Sequence, residues 1–347
     1  MKIRTTLADV AREAGVSKTT ASMVVNGKGQ KNIPGPTRAR VLSAANKLHF
    51  RPHGVARALS RRRADVLGVV CSVAPFRDLA EHPFEQTLLA AVFHHALERG
   101  YNPLIYGQPS ETATREELSR YSDGRSDAFI LLYPQLDSPL LGYLHSQDIP
   151  TVTLCTRDNS PAGRWTDCDS DTGIRAAIEH LAELGHRRIA YLIGPPEQDC
   201  VQFRICAFKS SMESLGLSAR VEWIIPYRWS AEKTGAQMDA LLAAPERPTA
   251  LLLWYDFAVE HVYQAARERG LRIPEDLSVV GFDDSLPARV ASPALTTIRQ
   301  DPNQMGKAAV DLAIAALLPH QNEQSSRSTL CSVELILRQS TSPPGGA

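Results

Sequence analysis

"TLADVAREAGVSKTTASMVVNG", Thr6 to Gly27, sets a small-residue turn between two short amphipathic runs, and its reading decides what the start of this chain is for. Thr6 is a good N-cap with Asp9 three positions on, so the spacing predicts a helix over 7–14 opened by something close to a capping box. Leu7, Val10, Ala11 and Ala14 share one face of it. Gly15 offers the left-handed backbone that stops the helix, Val16 plugs the turn, and Ser17 caps a second helix running to about Val25, closed by Asn26 and Gly27. On that second helix Ala21, Val24 and Val25 point inward, which leaves Lys18, Thr19, Ser22 and Met23 outward near its N-terminus. Side chains of that size and chemistry suit contact with base edges in a groove. A generic helical hairpin would share the pattern.

Charge separates the two readings. The chain has 347 residues and no formal net charge, yet residues 1 to 65 carry fourteen Lys/Arg against three Asp/Glu, a net +11 that leaves −11 for the remainder. A basic head on an acidic body points to a polyanion partner for the head alone. A solvated charged face explains a short run of bases well, and a bias across a whole domain poorly.

The length exceeds what one core usually supports, and 43% hydrophobic with 22% charged residues is ordinary globular composition, so two or three packed units are expected. The six cysteines show no CxxC or zinc-type spacing, which predicts reduced, mostly structural thiols and neither a disulfide framework nor a metal site. The N-terminus has no apolar signal core, and no apolar run approaches the ~20 residues of a spanning helix. A cytoplasmic protein without a membrane partner is expected.

After the hairpin, "TRARVLSAANKLHFRPHGVARALSRRR" supplies a third helix from Thr37 to about Leu48, a break at Pro52 and a short Ala/Arg-rich segment. In this order, TLADVAREAGVSKTTASMVVN, TRARVLSAANKLHFRP and VARALS resemble the N-terminus of the lactose/galactose repressor (LacI/GalR) family of bacterial transcription regulators. The resemblance implies a helix-turn-helix headpiece over 1–52 and a hinge over 53–65 that becomes helical on DNA. It places DNA contacts at Thr6, Leu7, Ser17, Lys18, Thr19, Ser22, Met23 and Asn26 in the headpiece, and at Ala56, Arg57 and Leu59 in the hinge. Leu59 would enter the minor groove, and an apolar wedge flanked by arginines is a known way to bend a duplex from that side. An ordinary core leucine is the plain alternative. Two departures matter: Met23 stands where the family usually has an arginine, which removes an expected guanine contact, and Pro34 replaces the usual serine cap of the third helix.

From Asp65 onward short β-rich runs alternate with helical stretches, the signature of parallel α/β layers. "VLGVV", "NPLIY", "DAFILLY" and "PTVTLC" form one series, and "RIAYLIG", "VEWII", "TALLLW" and "LSVVGF" a second. The expected fold class is therefore α/β, an all-α headpiece followed by a doubly wound core of two lobes over 66–340, with a ligand cleft at the carboxyl ends of the strands and a tail over 341–347. The resemblance extends to this core, which is similar to periplasmic sugar-binding proteins through "AAIEHLAELGHRRIAYLIGPP", "PTALLLWYDFA", "GLRIPEDLSVVGFDDS" and "PALTTIRQD". It implies three crossings between lobes, near 165, 296 and 327.

Arg204, in "RICAF", matches the family's RxxGF arginine that bonds ligand hydroxyls, and Asp283 and Asp256 leave strand ends facing the expected cleft. A carboxylate and a guanidinium on opposite walls clamp a polyol well. Trp229 matches an aromatic that flanks ligand in relatives, and a flat indole suits the apolar face of a sugar ring. Tyr255 stands where an asparagine commonly precedes the aspartate. Phe76, Arg77, Tyr133 and Arg157 are further candidates at strand ends of the first lobe. Each has a bland alternative: an interlobe ion pair, a core ring or, for Asp256, a helix cap, which is the reading preferred there.

The expectation is a DNA-binding regulator, a repressor by resemblance, acting as a homodimer on a pseudo-palindromic double-stranded operator and controlled by a small sugar-like effector, with a purine-type effector as alternative. No cofactor is called for. An α/β enzyme would share the alternation, but G-x-S-x-G, G-x-x-x-x-G-K-[ST], a strand-borne G-x-G-x-x-G and H-E-x-x-H are all missing. A transport binding protein would explain the core and leave the basic head without a role. "QSTSPPGGA" after Arg338 is too short and too Pro/Gly-rich for a heptad zipper, so a tetramer is not expected.

Overall fold

Why each segment takes its form is clearest at the helix ends. In the computed structural model, which describes residues 5–27, 32–50, 63–71, 83–227, 231–243, 246–318 and 326–345, helix α1 is Leu7–Ala14. The Thr6 hydroxyl accepts the Asp9 amide at 3.3 Å, while the Asp9 carboxylate accepts the Thr6 amide at 2.9 Å, a complete capping box. The Thr6 hydroxyl also donates to that carboxylate at 2.7 Å, and this bond, with the one from the Thr6 amide, holds the Asp9 carboxyl below its ordinary value. Gly15 ends the helix at φ 62°, and Ser17 caps α2 (Lys18–Val25) by accepting the Thr20 amide at 3.0 Å. Helix α3 is Gly35–Lys47, two residues earlier than expected, because Pro34 and Pro36 preset the first turn and no side-chain cap is used. Val10, Ala21, Val24 and Val41 form the centre of this unit, and Thr5 donates to the Leu48 carbonyl at 2.9 Å to tie its ends together.

The chain divides into two compact units, Met1–Asp65 and Val66–Ala347. The second holds two six-stranded sheets. In lobe 1 the strands are β1 (Val66–Cys71), β2 (Asn102–Gly107), β3 (Ala128–Leu132), β4 (Thr151–Leu154), β5 (Trp165–Cys168) and β11 (Ser328–Cys331), in the order β11-β5-β4-β3-β1-β2 and all parallel. In lobe 2 they are β6 (Ile189–Ile193), β7 (Ile224–Pro226), β8 (Ala250–Leu253), β9 (Ser278–Asp283), β10 (Thr296–Gln300) and β12 (Val333–Ile336), in the order β12-β10-β9-β8-β6-β7, with only β12 antiparallel. Of "VEWII", only the last two residues join β7, since Val221–Trp223 is a 3-10 turn.

Helices cover both faces of each sheet, which is why the strands read as near-continuous apolar runs. Strand residues alternate between the two layers. Val69 and Cys71 face one side with Leu88 and Val92 of α4 (Pro83–Glu98), and Val70 faces the other with Leu140 and Leu144 of α6 (Pro139–Ser146). Between them in the chain lies α5 (Arg115–Ser119). In lobe 2, Tyr191 packs on Phe208 of α8 (Asp199–Ser214), next to α7 (Ser170–Glu183). Leu192 turns to the layer of α9 (Ala231–Leu242) and α10 (Val259–Glu268). The remaining helices are α11 (Leu286–Val290) and α12 (Pro302–Ala316).

The chain crosses between lobes three times, and two strands that the sequence series left out, β5 and β10, carry the first two crossings. The expected positions, 165, 296 and 327, fall at or one residue before strand starts; the crossings come at the strand ends instead, at Asp169, Asp301 and Ser332. Asp169 and Asp301 then cap the helices that follow. Helix α12 follows lobe-2 strand β10 yet packs on α4 and across β3, β4 and β5 of lobe 1. The segment expected to be a tail from 341 is docked through residue 345: His186 and Ser278 hold Ser342, and the Gly345 amide bonds the Glu275 carbonyl at 3.2 Å. Among the described residues no helix is long and apolar enough to cross a membrane.

Candidate nucleic-acid interface and ligand cleft

In the helical unit, burial sorts the candidates. Ala21 and Val24 are buried, Val25 is half-buried, and Lys18, Thr19 and Met23 stand exposed on α2, Met23 at 43%. Ser22 and Asn26 are half-buried, and the Asn26 amide group donates to the Ser22 carbonyl at 2.9 Å. Thr6 and Ser17 have their hydroxyls in the caps, and Leu7 is half-buried against the core. The exposed outer surface of α2 therefore consists of Lys18, Thr19 and Met23. Ala56, Arg57 and Leu59 lie outside the described residues, as do Phe76, Arg77 and Trp229.

In the α/β unit the carboxyl ends of strands from both sheets converge on a cleft of about 400 Å³. From lobe 1 come Cys71, Gln108, Tyr133, Cys155 and Asp167, together with Phe84 and Glu85 from the first turn of α4. Lobe 2 contributes Arg204 on α8, Trp254 and Tyr255 after β8, Asp283 at the end of β9 and Gln300 at the end of β10. Of the sequence candidates, Arg204, Asp283, Tyr133 and Tyr255 thus line one space. The backbone is unusual there: Tyr133 has φ 48° and Asp283 φ 119°, conformations that cost energy in non-glycine residues and gather at binding sites.

Arg204 is only 9% exposed. Its guanidinium is sandwiched between the rings of Phe282 and Trp254, with centroids 3.7 and 4.2 Å from its central carbon. It donates to the Trp254 carbonyl at 3.1 Å and to the Cys168 sulfur at 3.8 Å, and among the described residues it forms no ion pair. Trp254 reaches this position because residue 194 is glycine; a Cβ there would come within 2.8 Å of the indole. Asp283 is 8% exposed and accepts from the Gln300 side-chain amide at 2.7 Å. Burial pushes its carboxyl well above the ordinary value, and the neighbouring Asp256 carboxylate adds to the rise, against the pull of Arg204. Among the described residues, the buried Gln300 side-chain oxygen has no hydrogen-bond partner. An acceptor left open beside a buried carboxylate is what a hydroxyl-bearing or N–H-bearing ligand completes.

Two candidates fall outside the cleft lining. Asp256 is fully buried: one oxygen accepts from the Thr297 hydroxyl at 2.6 Å, the other from the Ser285 amide at 2.7 Å and hydroxyl at 3.1 Å. It caps the turn leading into α11 rather than its own helix. Arg157 is held at the first crossing, donating to Asp167 at 2.8 Å, to Asp171 at 2.9 Å and to the Cys168 carbonyl at 3.2 Å. Its charge is therefore answered within the protein. Conversely, the sequence reading missed Glu85, Gln108, Trp254 and Gln300. Trp254 follows β8, a run the sequence series already contains, and Gln300 ends β10, so the strand-end rule applied to the first, and to the second had β10 been recognised, would have found both.

All six cysteines are free thiols, and only Cys206 is exposed. Burial pushes Cys168 and Cys200 up to about 12 and Cys71 up to about 11, so these thiols stay neutral and act as packing around the cleft.

Comparison with known proteins covers both units. Residues 6–53 match the family model for bacterial regulatory proteins of the lacI family, and residues 178–341 that for a periplasmic binding protein-like domain. An HTH-type transcriptional repressor PurR of Haemophilus influenzae (strain PittEE) is 30% identical over 340 residues, 96% of this chain and 98% of that one. The PurR repressor of Photobacterium profundum is 27% identical over 337 residues, 96% and 98% of the two chains. Among solved structures, the lac repressor dimer bound to operator and the anti-inducer ONPF superposes with TM-score 0.83 at 28% identity, covering 98% of this chain and all of that one (100%). The complex of the transcriptional regulator CelR with cellobiose gives TM-score 0.71 at 27% identity, covering 97% and 100%. A capped helix-turn-helix in a basic unit, a two-lobed cleft and end-to-end similarity to such proteins lead to one conclusion: the chain belongs to the lacI family of bacterial regulatory proteins, DNA-binding transcriptional regulators with an effector-binding core.

Proposed function

We propose that the protein is a dimeric repressor that binds a pseudo-palindromic operator through α2 and the segment around Leu59, and whose DNA affinity is set by a neutral, hydroxyl-rich ligand of the sugar class in the interlobe cleft. The observation that carries the ligand reading is the group formed by Arg204, Asp283 and the unpartnered Gln300 oxygen at the strand ends. It offers a donor, a carboxyl group and an acceptor within one lining, the combination that vicinal hydroxyls satisfy. Apart from Asp167, which Arg157 answers, and Asp283, whose carboxyl burial favours in its neutral form, the lining carries Glu85, Glu111 and Glu197 against the single Arg204 among the described lining residues, which disfavours an anionic ligand. A planar nitrogen heterocycle such as a purine is the second reading, favoured by the rings of Phe84, Tyr133, Trp254 and Tyr255 in the same lining. Leu286 and Val290, 67% and 68% exposed one turn apart on α11, provide apolar surface for self-association.

A ligand moves operator affinity only by its differential affinity for the two lobe arrangements. The test is calorimetry of the full chain against neutral sugars, sugar phosphates and purine bases, followed by operator titration with and without the ligand that binds. A neutral sugar is expected to bind and Asp283→Asn to weaken it by about 0.5–1.5 kcal/mol, the scale of one hydrogen bond. Binding of purine bases alone selects the second reading, and tight binding of a sugar phosphate overturns the charge argument. Operator affinity falls steeply with salt if the basic head neutralises phosphates.

A further inference from the structure

Away from the cleft, the C-terminal end of α4 presents His94, His95 and Glu98. His94 Nε2 lies 3.3 Å from Glu98 Oε1, and His95 Nδ1 lies 2.9 Å from Glu98 Oε2. One donor atom from each residue falls within 4.8 Å of the other two. We propose that these three side chains form a binding site for a divalent transition metal of the zinc class.

The spacing is the first reason. Positions 94 and 98 are one helical turn apart and 95 and 98 slightly less, so a single carboxylate faces both rings. Zinc bound to nitrogen and oxygen at about 2.0–2.1 Å sets its tetrahedral donors about 3.3 Å apart, and one donor atom from each of the three residues already lies within 4.8 Å of the others, each ring facing its own oxygen of Glu98. The second reason is His95's other nitrogen, Nε2, which lies 3.0 Å from the Asn303 side-chain oxygen on α12. This contact holds the ring with Nδ1 toward the Glu98 carboxylate. A metal-ligating histidine is oriented in this way by a hydrogen bond from its remote nitrogen. The nearby cations have another partner, since Arg99 and Lys307 both pair with Asp311.

Two imidazoles and a carboxylate favour zinc and its transition-metal neighbours over magnesium or calcium, which prefer oxygen donors throughout. With three protein ligands the fourth position is open to water or an outside group. The His95–Asn303 contact ties this site to the first turn of α12, three residues past the cleft residue Gln300, and the first turn of α4 at its other end carries the lining residues Phe84 and Glu85.

The experiment is a titration of the chelator-stripped full chain with zinc chloride in competition with a chromophoric chelator, on wild type, His94→Ala, Glu98→Gln and Asn303→Ala. Wild type is expected to hold one equivalent of zinc that His94→Ala and Glu98→Gln lose, with Asn303→Ala weakened about tenfold or more. X-ray absorption of the wild-type complex should show imidazole ligation. His94 is 64% exposed, so circular dichroism should show its variant folded. Equal zinc affinity in wild type and all three variants, or no stoichiometric zinc in wild type, overturns the site. Tighter binding of magnesium chloride than of zinc overturns the metal class.

Discussion

Among the described residues the helical unit buries nine in its core, and every one is Val, Ala or Ile; the α/β unit is built around Tyr191, Phe129, Phe208, Phe282 and a long series of Leu and Ile. Small side chains let three short helices approach closely, but each removes little apolar area from water. The helical unit therefore depends on its ends: the Thr6–Asp9 box, the left-handed Gly15, the Ser17 cap and the Thr5 bond to Leu48. The α/β unit depends on contacts between residues far apart in the chain. Local sequence determines the first, and long-range packing the second.

The contrast can be broken experimentally, because all four tryptophans, at 165, 223, 229 and 254, belong to the α/β unit, so indole fluorescence reports on that unit alone. The largest effect is expected from Phe129→Ala, a fully buried ring in lobe 1: about 3–5 kcal/mol lost in denaturant titrations followed by fluorescence, with amide protection over 7–14 unchanged. Loss of protection in both units together would show that they unfold as one. Val10→Ala should cost the helical unit about 2 kcal/mol, seen as lost protection in α1 and α2 and weaker operator binding at an unchanged fluorescence midpoint. Thr6→Ala removes only the cap and should cost about 1 kcal/mol by the same exchange measurement, while Thr6→Ser should restore most of it.

The smallest effect sharpens the other side of the contrast. His186 is buried and bonds Thr249 at 2.8 Å, Ser278 at 3.0 Å and the Ser342 carbonyl at 2.9 Å, so one neutral ring latches the C-terminal segment to lobe 2. Burial holds it below its ordinary value of 6.5. Above 6.5 its contribution is complete. As pH falls from there toward the folded value, the unfolded chain takes up the proton first and stability declines. Fluorescence-monitored stability should therefore drop more between pH 7.5 and 5.5 in wild type than in His186→Gln, and equal slopes would remove His186 as the cause.

The helix-turn-helix is legible almost residue by residue, since caps, left-handed glycines and helical spacing act within four residues of one another. The third helix starts two residues ahead of its sequence expectation because Pro34 and Pro36 open it without a side-chain cap. In the α/β unit the buried strands announce themselves as apolar runs, and the "RICAF" motif around Arg204 and the strand-end position of Asp283 mark both as cleft residues. β5 and β10 escape the sequence reading because Thr166, Asp167, Thr296 and Thr297 put buried polar residues into these strands, where their partners come from distant segments.

By itself the sequence determined the helical unit, the two-series α/β alternation, the charge split between the units and the identity of the chemistry-bearing side chains, all properties of residue type and near-neighbour spacing. Tertiary structure alone decided which of those side chains share a space. Asp256 and Asp283 both leave strand ends after apolar runs, yet Asp256 is turned inward to Ser285 and Thr297 while Asp283 lines the cleft with Gln300. Arg157 and Arg204 are both large cations near the crossings, yet one meets carboxylates from β5 and α7 and the other is stacked between two rings. The partner that satisfies a buried polar group is set by which segments the sheet order brings together, and that order is a property of the packed chain as a whole.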